Sequence, residues 1–154
     1  MTQRPAALVR FDDASINWRR LGEFEHFHYT IIDVDPDNEV ADFALRFVPG
    51  ERIFLHRHRA HTNTTVVQGE HRIYEPAGDL REVRPQGSYT SSPAAPEPHA
   101  EGGGPDGAVV VYQTRGSADG VVFDVLDEAH NVVGTLGVND LTQLFELQGR
   151  RPGA

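Results

Sequence analysis

The sequence contains no cysteine, a single methionine and a single tryptophan. Without cysteine there are no disulfides, no thiolate ligands and no cysteine nucleophile, so a metal ion could be held only through nitrogen or oxygen. Long apolar runs are also missing: a membrane-spanning helix needs roughly 18 or more consecutive apolar residues, and none occur. Cations are outnumbered, with 14 Lys and Arg against 23 Asp and Glu for a formal charge of −9. That balance argues against nucleic acid or an anionic membrane as partner, since either needs a basic face. The opening MTQRPAALVRFDD has no apolar stretch suited to a signal peptide, and a cytoplasmic protein is expected.

What is present fits one small domain, for 154 residues suit a single core. Fifteen glycines and ten prolines divide the chain into short runs rich in valine, isoleucine, phenylalanine and threonine, which favour strands. Strands are expected at Val9–Phe11, Phe27–Val34, Asp42–Val48, Arg52–Leu55, Thr64–Gln68, His71–Glu75, Val109–Gln113, Val121–Leu126 and Val132–Leu136. Turns are expected at Asp35–Asn38, Val48–Gly50, Gln68-Gly69, Pro76–Asp79 and Glu128–Asn131. One helix is expected, Leu141–Gln148, capped by Asp140, stopped by Gly149 and carrying Leu141, Leu144, Phe145 and Leu147 as an apolar stripe. Residues 91–107 hold Pro93, Pro96, Pro98, Gly102, Gly103, Gly104 and Pro105 and predict a long irregular loop, mobile after Ala100. Regularly spaced strands with turns between them predict an all-β sandwich or barrel.

Eight histidines remain as candidates for chemistry. In PGERIFLHRHRAHTNTTVVQGEHRIYE, residues 49–75, His56 and His58 lie at i and i+2. On a strand both imidazoles project from one face and can meet one ion. Spacing alone does not decide, because His26 and His28 repeat it and a solvated strand face would look the same. His61 is a rival ligand three residues further on. His26, His28, His71 and His130 lack a spacing partner and read as surface or strand histidines.

Gly50 before the pair, the strand-like run after it and Gly69 beyond resemble the first motif of the cupin superfamily. Pro96-Glu97-Pro98-His99 resembles the approach to the histidine of the second motif. The resemblance implies an all-β cupin double-stranded β-helix (jelly-roll) barrel with a short C-terminal helix. Residues 1–48 would form N-terminal strands and an arm, and residues 49–148 the barrel. It further implies a metal held by His56, His58 and His99. Most cupins add a glutamate four or five residues after the second histidine, where this sequence has Thr62 and Asn63. A neutral three-histidine site is therefore expected, with Thr62 and Asn63 available to bond a metal-bound water or a substrate oxygen.

That combination is similar to the ChrR-like and acetylacetone-cleaving dioxygenase branch of the superfamily. The similarity implies Fe(II), with Zn, Ni, Mn, Co or Cu as alternatives that nitrogen ligands bind as well. It implies a small carbonyl substrate and O2 as reactants, with C–C cleavage of a β-dicarbonyl or related ketone bound as a chelated enolate. Glu97 would orient a histidine or act on a proton. Arg72 and Tyr74 alternate after Gly69 and are expected to face the interior, with His71 and Ile73 outward. Two other readings keep the barrel: a redox-neutral isomerase, lyase or hydrolase, and a non-catalytic ligand- or metal-sensing module. By analogy a homodimer or homotetramer is expected, with Phe24, Phe27, Tyr29 and Ile31 in the N-terminal arm suited to pairing. Trp18 requires an apolar surface, the barrel or a neighbouring subunit.

Overall fold

Among the described residues the chain forms nine strands, most of them with one face committed to a shared interior, while three at the margins of the sheets are largely exposed. In this computed structural model residues 6, 8–12 and 14–153 are described, and the start of the chain lies partly outside them. The strands are β1 (Phe27–Asp35), β2 (Val40–Phe47), β3 (His56–His58), β4 (His61–Tyr74), β5 (Leu80–Arg84), β6 (Tyr89–Ser92), β7 (Ala100–Arg115), β8 (Val121–Leu126) and β9 (Val132–Gly137). A single α-helix, α1 (Val138–Leu147), follows. One sheet has the order β1-β2-β7-β4-β5, with β6 also on β4; the other is β3-β8-β9. All pairings are antiparallel. The all-β architecture and its C-terminal helix are as the sequence predicts. No helix among the described residues is long and apolar enough to cross a membrane.

The core lies between the sheets. Ile31, Phe43 and Tyr112 sit in one lateral row of β1, β2 and β7, and Val122 and Phe145 close over them from β8 and α1. Because Phe27, Tyr29 and Ile31 are buried in this core, the apolar alternation of the arm is accounted for inside the barrel; only Phe24 of that set is exposed. Trp18 packs against the sheet beneath the Arg46 guanidinium, 5.3 Å away. The helix begins three residues earlier than expected. Asp140 is its third residue and accepts from the Gly137 N–H at 2.8 Å, so it caps from within. Val138, Leu141 and Phe145 form the buried stripe, and Leu147 faces solvent. Gln148 ties the helix end to β1 by bonding both the N–H and the carbonyl of Ile31.

Several local expectations are corrected. Val9–Phe11 and Arg52–Leu55 are not strands; the latter makes only an isolated bridge, Arg52 to Gly102. The two runs on either side of Gln68-Gly69 are one long strand, β4, because β7 supplies backbone partners along its length. Gly69 is an irregularity in that ladder, with φ of 73° and no room for a Cβ beside the Gly107 carbonyl. The strands β5 and β6 were hidden by their charged and polar composition.

The largest correction concerns residues 91–107. Only residues 93–99 connect strands; Ala100 begins β7, residues 104–107 fall in an irregularity of its ladder, and Gly102 and Gly103 are paired within it. They serve close approach. A Cβ on Gly102 would lie under 3.0 Å from the Glu51 carbonyl oxygen. That proximity lets residues 50–56 run alongside β7, with hydrogen bonds from Gly50 N to Gly104 O, Ile53 N to Glu101 O and a reciprocal pair between His56 and His99.

Gly102→Ala should therefore cost about 1–3 kcal/mol by overpacking. Gly134→Ala, whose nearest neighbour would be an ordinary contact, should be neutral or slightly stabilising. Denaturant unfolding of the two variants checks this, and equal losses would contradict it.

Candidate metal centre

The HRHR segment shows how one strand carries two tasks. Arg57 and Arg59 point to the side of β3 where the fully buried Asp124 of β8 receives them, at 2.7 Å and 3.2 Å. Alternation then turns His56 and His58 together to the interior. His99 precedes β7 and is hydrogen-bonded through its backbone to His56 in both directions, at 2.9 and 3.0 Å. The three rings form one group, with centroids 4.7–5.1 Å apart.

A fourth member was not expected. Glu101 stands two residues after His99, shares its strand face and is 3% exposed. Its Oε2 lies 2.5 Å from His56 Nε2, 3.4 Å from His99 Nε2 and 3.6 Å from His58 Nε2. Its Oε1 accepts from Tyr112 Oη and from His71 Nε2, both at 2.7 Å. The expected neutral three-histidine set is thereby corrected: a carboxylate joins the cluster, from β7 and not from positions 62–63. Burial by itself would raise the Glu101 pKa, yet hydrogen bonds from His56, His58, His71 and His99 hold it well below the usual carboxylate range. Burial and the adjacent Glu101 charge push the Tyr112 phenol well above its ordinary value. Burial holds His58 and His99 below the ordinary imidazole value, against the opposing pull of Glu101.

The donor set fits a metal ion. His56 Nδ1 lies 3.0 Å from the Phe54 carbonyl, which can only accept, so Nδ1 carries a hydrogen, and in the neutral ring Nε2 keeps its lone pair. That lone pair faces a carboxylate oxygen at 2.5 Å, a contact between two acceptors that requires a proton or a cation. Thr62 repeats the arrangement at His58: its hydroxyl donates to the Ala60 carbonyl at 3.0 Å and faces His58 Nδ1 at 3.3 Å. Both rings are thus oriented from behind with Nε2 inward, as metal-ligating histidines usually are. The ligand atoms of His56, His58, His99 and Glu101 all lie within 4.8 Å of one another, and these four residues could hold a metal ion.

The other candidates are distributed around this cluster. His61 lies outside it, with Nε2 at 3.0 Å from both Asn63 Oδ1 and Ser91 Oγ, and Asn63 is engaged there too. Glu97 is exposed and lines the rim of a cavity that reaches His58 and His99. The expectation for Arg72 and Tyr74 is reversed. Arg72 lies at the surface, bonded to Glu70 at 2.6 Å, and Tyr74 faces Arg52, whereas His71 and Ile73 are buried. The ladder is irregular at Val66–Gln68 and again at Gly69–His71, and across this stretch the buried positions change from Thr62, Thr64 and Val66 to His71 and Ile73, which periodicity counted from the turn could not reveal. His71 stacks on Phe47, and its Nδ1 has no partner among the described residues.

Two cavities meet the cluster from different sides and share only His58 and Glu101. One, of about 150 Å³, is the more polar of the two, a mouth lined by Thr62, Thr64, Arg81, Arg84, Thr90 and Glu97 among others. The second, of about 40 Å³, is walled almost wholly by apolar side chains under α1.

No family model matches the sequence, and no curated protein matches it. Solved structures do. An acetylacetone dioxygenase from Acinetobacter johnsonii superposes with a TM-score of 0.65 at 12% identity, covering 96% of this chain and 95% of its own. An RmlC-like cupin protein from Ralstonia eutropha gives a TM-score of 0.68 at 16% identity, covering 96% and 93%. A polyketide cyclase from Streptomyces resistomycificus gives 0.55 at 16% identity, covering 71% and 80%. At these identities the likeness is one of fold: the chain has the cupin fold.

Replacing His56 and His58 together by alanine should abolish metal retention after dialysis, measured by elemental analysis; wild-type content in the double variant would exclude the cluster as a metal site. Tyr112→Phe, which frees Glu101 Oε1 from one donor, should weaken metal binding about 10-fold in a chelator competition. In metal-free protein the pH dependence has a definite sign. His58 and His99 titrate lower when folded than in the unfolded chain, where they titrate near roughly 6.5. Below that value the unfolded state binds more protons, so stability should be full above it and fall as pH decreases. Denaturation midpoints that rise on acidification from pH 7 to 5 would contradict this.

Proposed function

We propose that this protein is a non-haem Fe(II)-dependent dioxygenase that cleaves a C–C bond of a β-dicarbonyl or related ketone. The observation that carries the reading is the donor cluster of His56, His58, His99 and Glu101 on a cupin fold shared with an acetylacetone dioxygenase. When bound, the ion would supply Lewis acidity toward substrate oxygens and redox chemistry toward O2. The protein's own residues have simpler duties. The Phe54 carbonyl and Thr62 keep the imidazole rings aimed inward, and Tyr112 and His71 hold Glu101 in place. Thr64, Thr90 and the Arg84 guanidinium that bridges them at 3.3 and 3.2 Å offer hydrogen bonds to substrate oxygens at the mouth. Glu97 on the rim is the carboxylate we assign to removing the acidic proton between the two carbonyls. The apolar wall behind the cluster excludes water.

A redox-neutral reaction on a carbonyl substrate is the second reading, supported by the polyketide cyclase among proteins of this fold. Nitrogen and oxygen ligands of this kind also accept Zn, Ni, Mn, Co or Cu.

Oxygen consumption separates the two. Anaerobically purified, Fe(II)-loaded protein supplied with a panel of β-diketones and hydroxyaryl ketones should take up O2 in step with substrate loss. Substrate turnover without oxygen uptake would reject the dioxygenase reading in favour of the redox-neutral one. Glu97→Gln should lower kcat roughly 100-fold, within the usual range for losing a proton-transferring group, while leaving metal content unchanged.

A further inference from the structure

The cavity beneath α1 has properties that the polar mouth lacks. Leu45, Phe123, Leu136, Leu141 and Leu144 form much of its wall, and it ends on His56, His58 and Glu101. At about 40 Å³ it exceeds the roughly 10–15 Å³ that admits one water, yet falls far short of the roughly 150 Å³ of a cavity that accepts benzene. A water inside would need two to four polar partners, roughly, to be stable. The wall offers few: the Tyr112 hydroxyl is spent on Glu101, Glu101 Oε1 already accepts from both Tyr112 and His71, and the Nε2 atoms of His56 and His58 face Glu101 Oε2 at the centre of the cluster. So apolar a lining disfavours water. It is too small for a ring or an extended chain and suits a diatomic molecule.

We propose that this cavity is a separate binding site for a small apolar molecule, which in the dioxygenase reading is O2, held on the far side of the cluster from the polar mouth. The identity of the occupant as O2 rests on that reading; the site itself rests on the cavity. Organic substrate and gas would then approach through different walls, meeting only at His58 and Glu101. The two reactants need not compete for one entrance.

Xenon tests the site independently of turnover, because it fills dry apolar cavities irrespective of chemistry. Crystals of the metal-loaded protein pressurised with xenon should show the gas beside Leu45, Leu141 and Leu144. Ordered waters there without xenon, or xenon in the mouth alone, would overturn the proposal. Leu144→Phe should narrow the cavity, exclude xenon and raise the KM for O2 roughly fivefold or more, with little change in the KM for the organic substrate. A rise confined to the organic substrate would also overturn it, by assigning the cavity to an alkyl group of that substrate. Should Leu144→Phe fail to fold, Leu144→Ala should increase xenon occupancy, and unchanged occupancy would count against the proposal. Xenon binding in a protein that consumes no O2 would uphold the apolar site and reject the dioxygenase reading.

Discussion

A carboxylate buried at the centre of an apolar barrel must be compensated, and much of the site follows from how Glu101 is satisfied. Placing an ionised group away from water is strongly unfavourable unless it is paired and hydrogen-bonded. Here one oxygen takes two donors, Tyr112 and His71, and the other is ringed by three imidazole nitrogens. The two oxygens have different partners and different consequences. Tyr112 and His71 hold the carboxylate still, while the ring nitrogens of His56, His58 and His99 face its other oxygen, an arrangement that a cation would reconcile.

Backbone proximity makes this arrangement possible. His56 and Glu101 are 45 positions apart in sequence, and their contact depends on residues 50–56 running beside β7. Glycine is required where those backbones meet, because a side chain at Gly102 would occupy the space of the Glu51 carbonyl. The buried Asp124 completes the positioning from the other face, drawing in Arg57 and Arg59 so that the alternate residues of β3 turn inward. A salt-bridged outer face and a ligand-bearing inner face are two aspects of one pleated strand.

The cluster also divides the interior into unlike halves. Hydroxyls and guanidinium groups line the approach from β4, β5 and β6, whereas leucine and phenylalanine line the approach from α1 and β9. The donor cluster thus stands between a more polar chamber and an apolar one. The helix stripe of Leu141 and Phe145 is therefore part of the site's environment as well as of the core.

Much of this was legible in the sequence. Short β-branched runs between glycines and prolines announced an all-β fold, the strand Val121–Leu126 was expected with its observed bounds, and the i, i+2 rule placed His56 and His58 on one face. The same rule applied to His99 and Glu101 would have found the carboxylate, but the triple glycine beside it reads as a loop when composition is the guide. Glycine is ambiguous in sequence because flexibility and close packing both require a missing Cβ, and only a neighbouring backbone distinguishes them. The facing of Arg72 and His71 was equally inaccessible, since one irregularity in a ladder inverts every residue beyond it. Local periodicity thus determined part of the strand set and the histidine pair by itself. Which carboxylate completes the cluster, which histidine is buried beneath it and where the two cavities meet were decided only by tertiary packing, because each depends on contacts between residues remote in the chain.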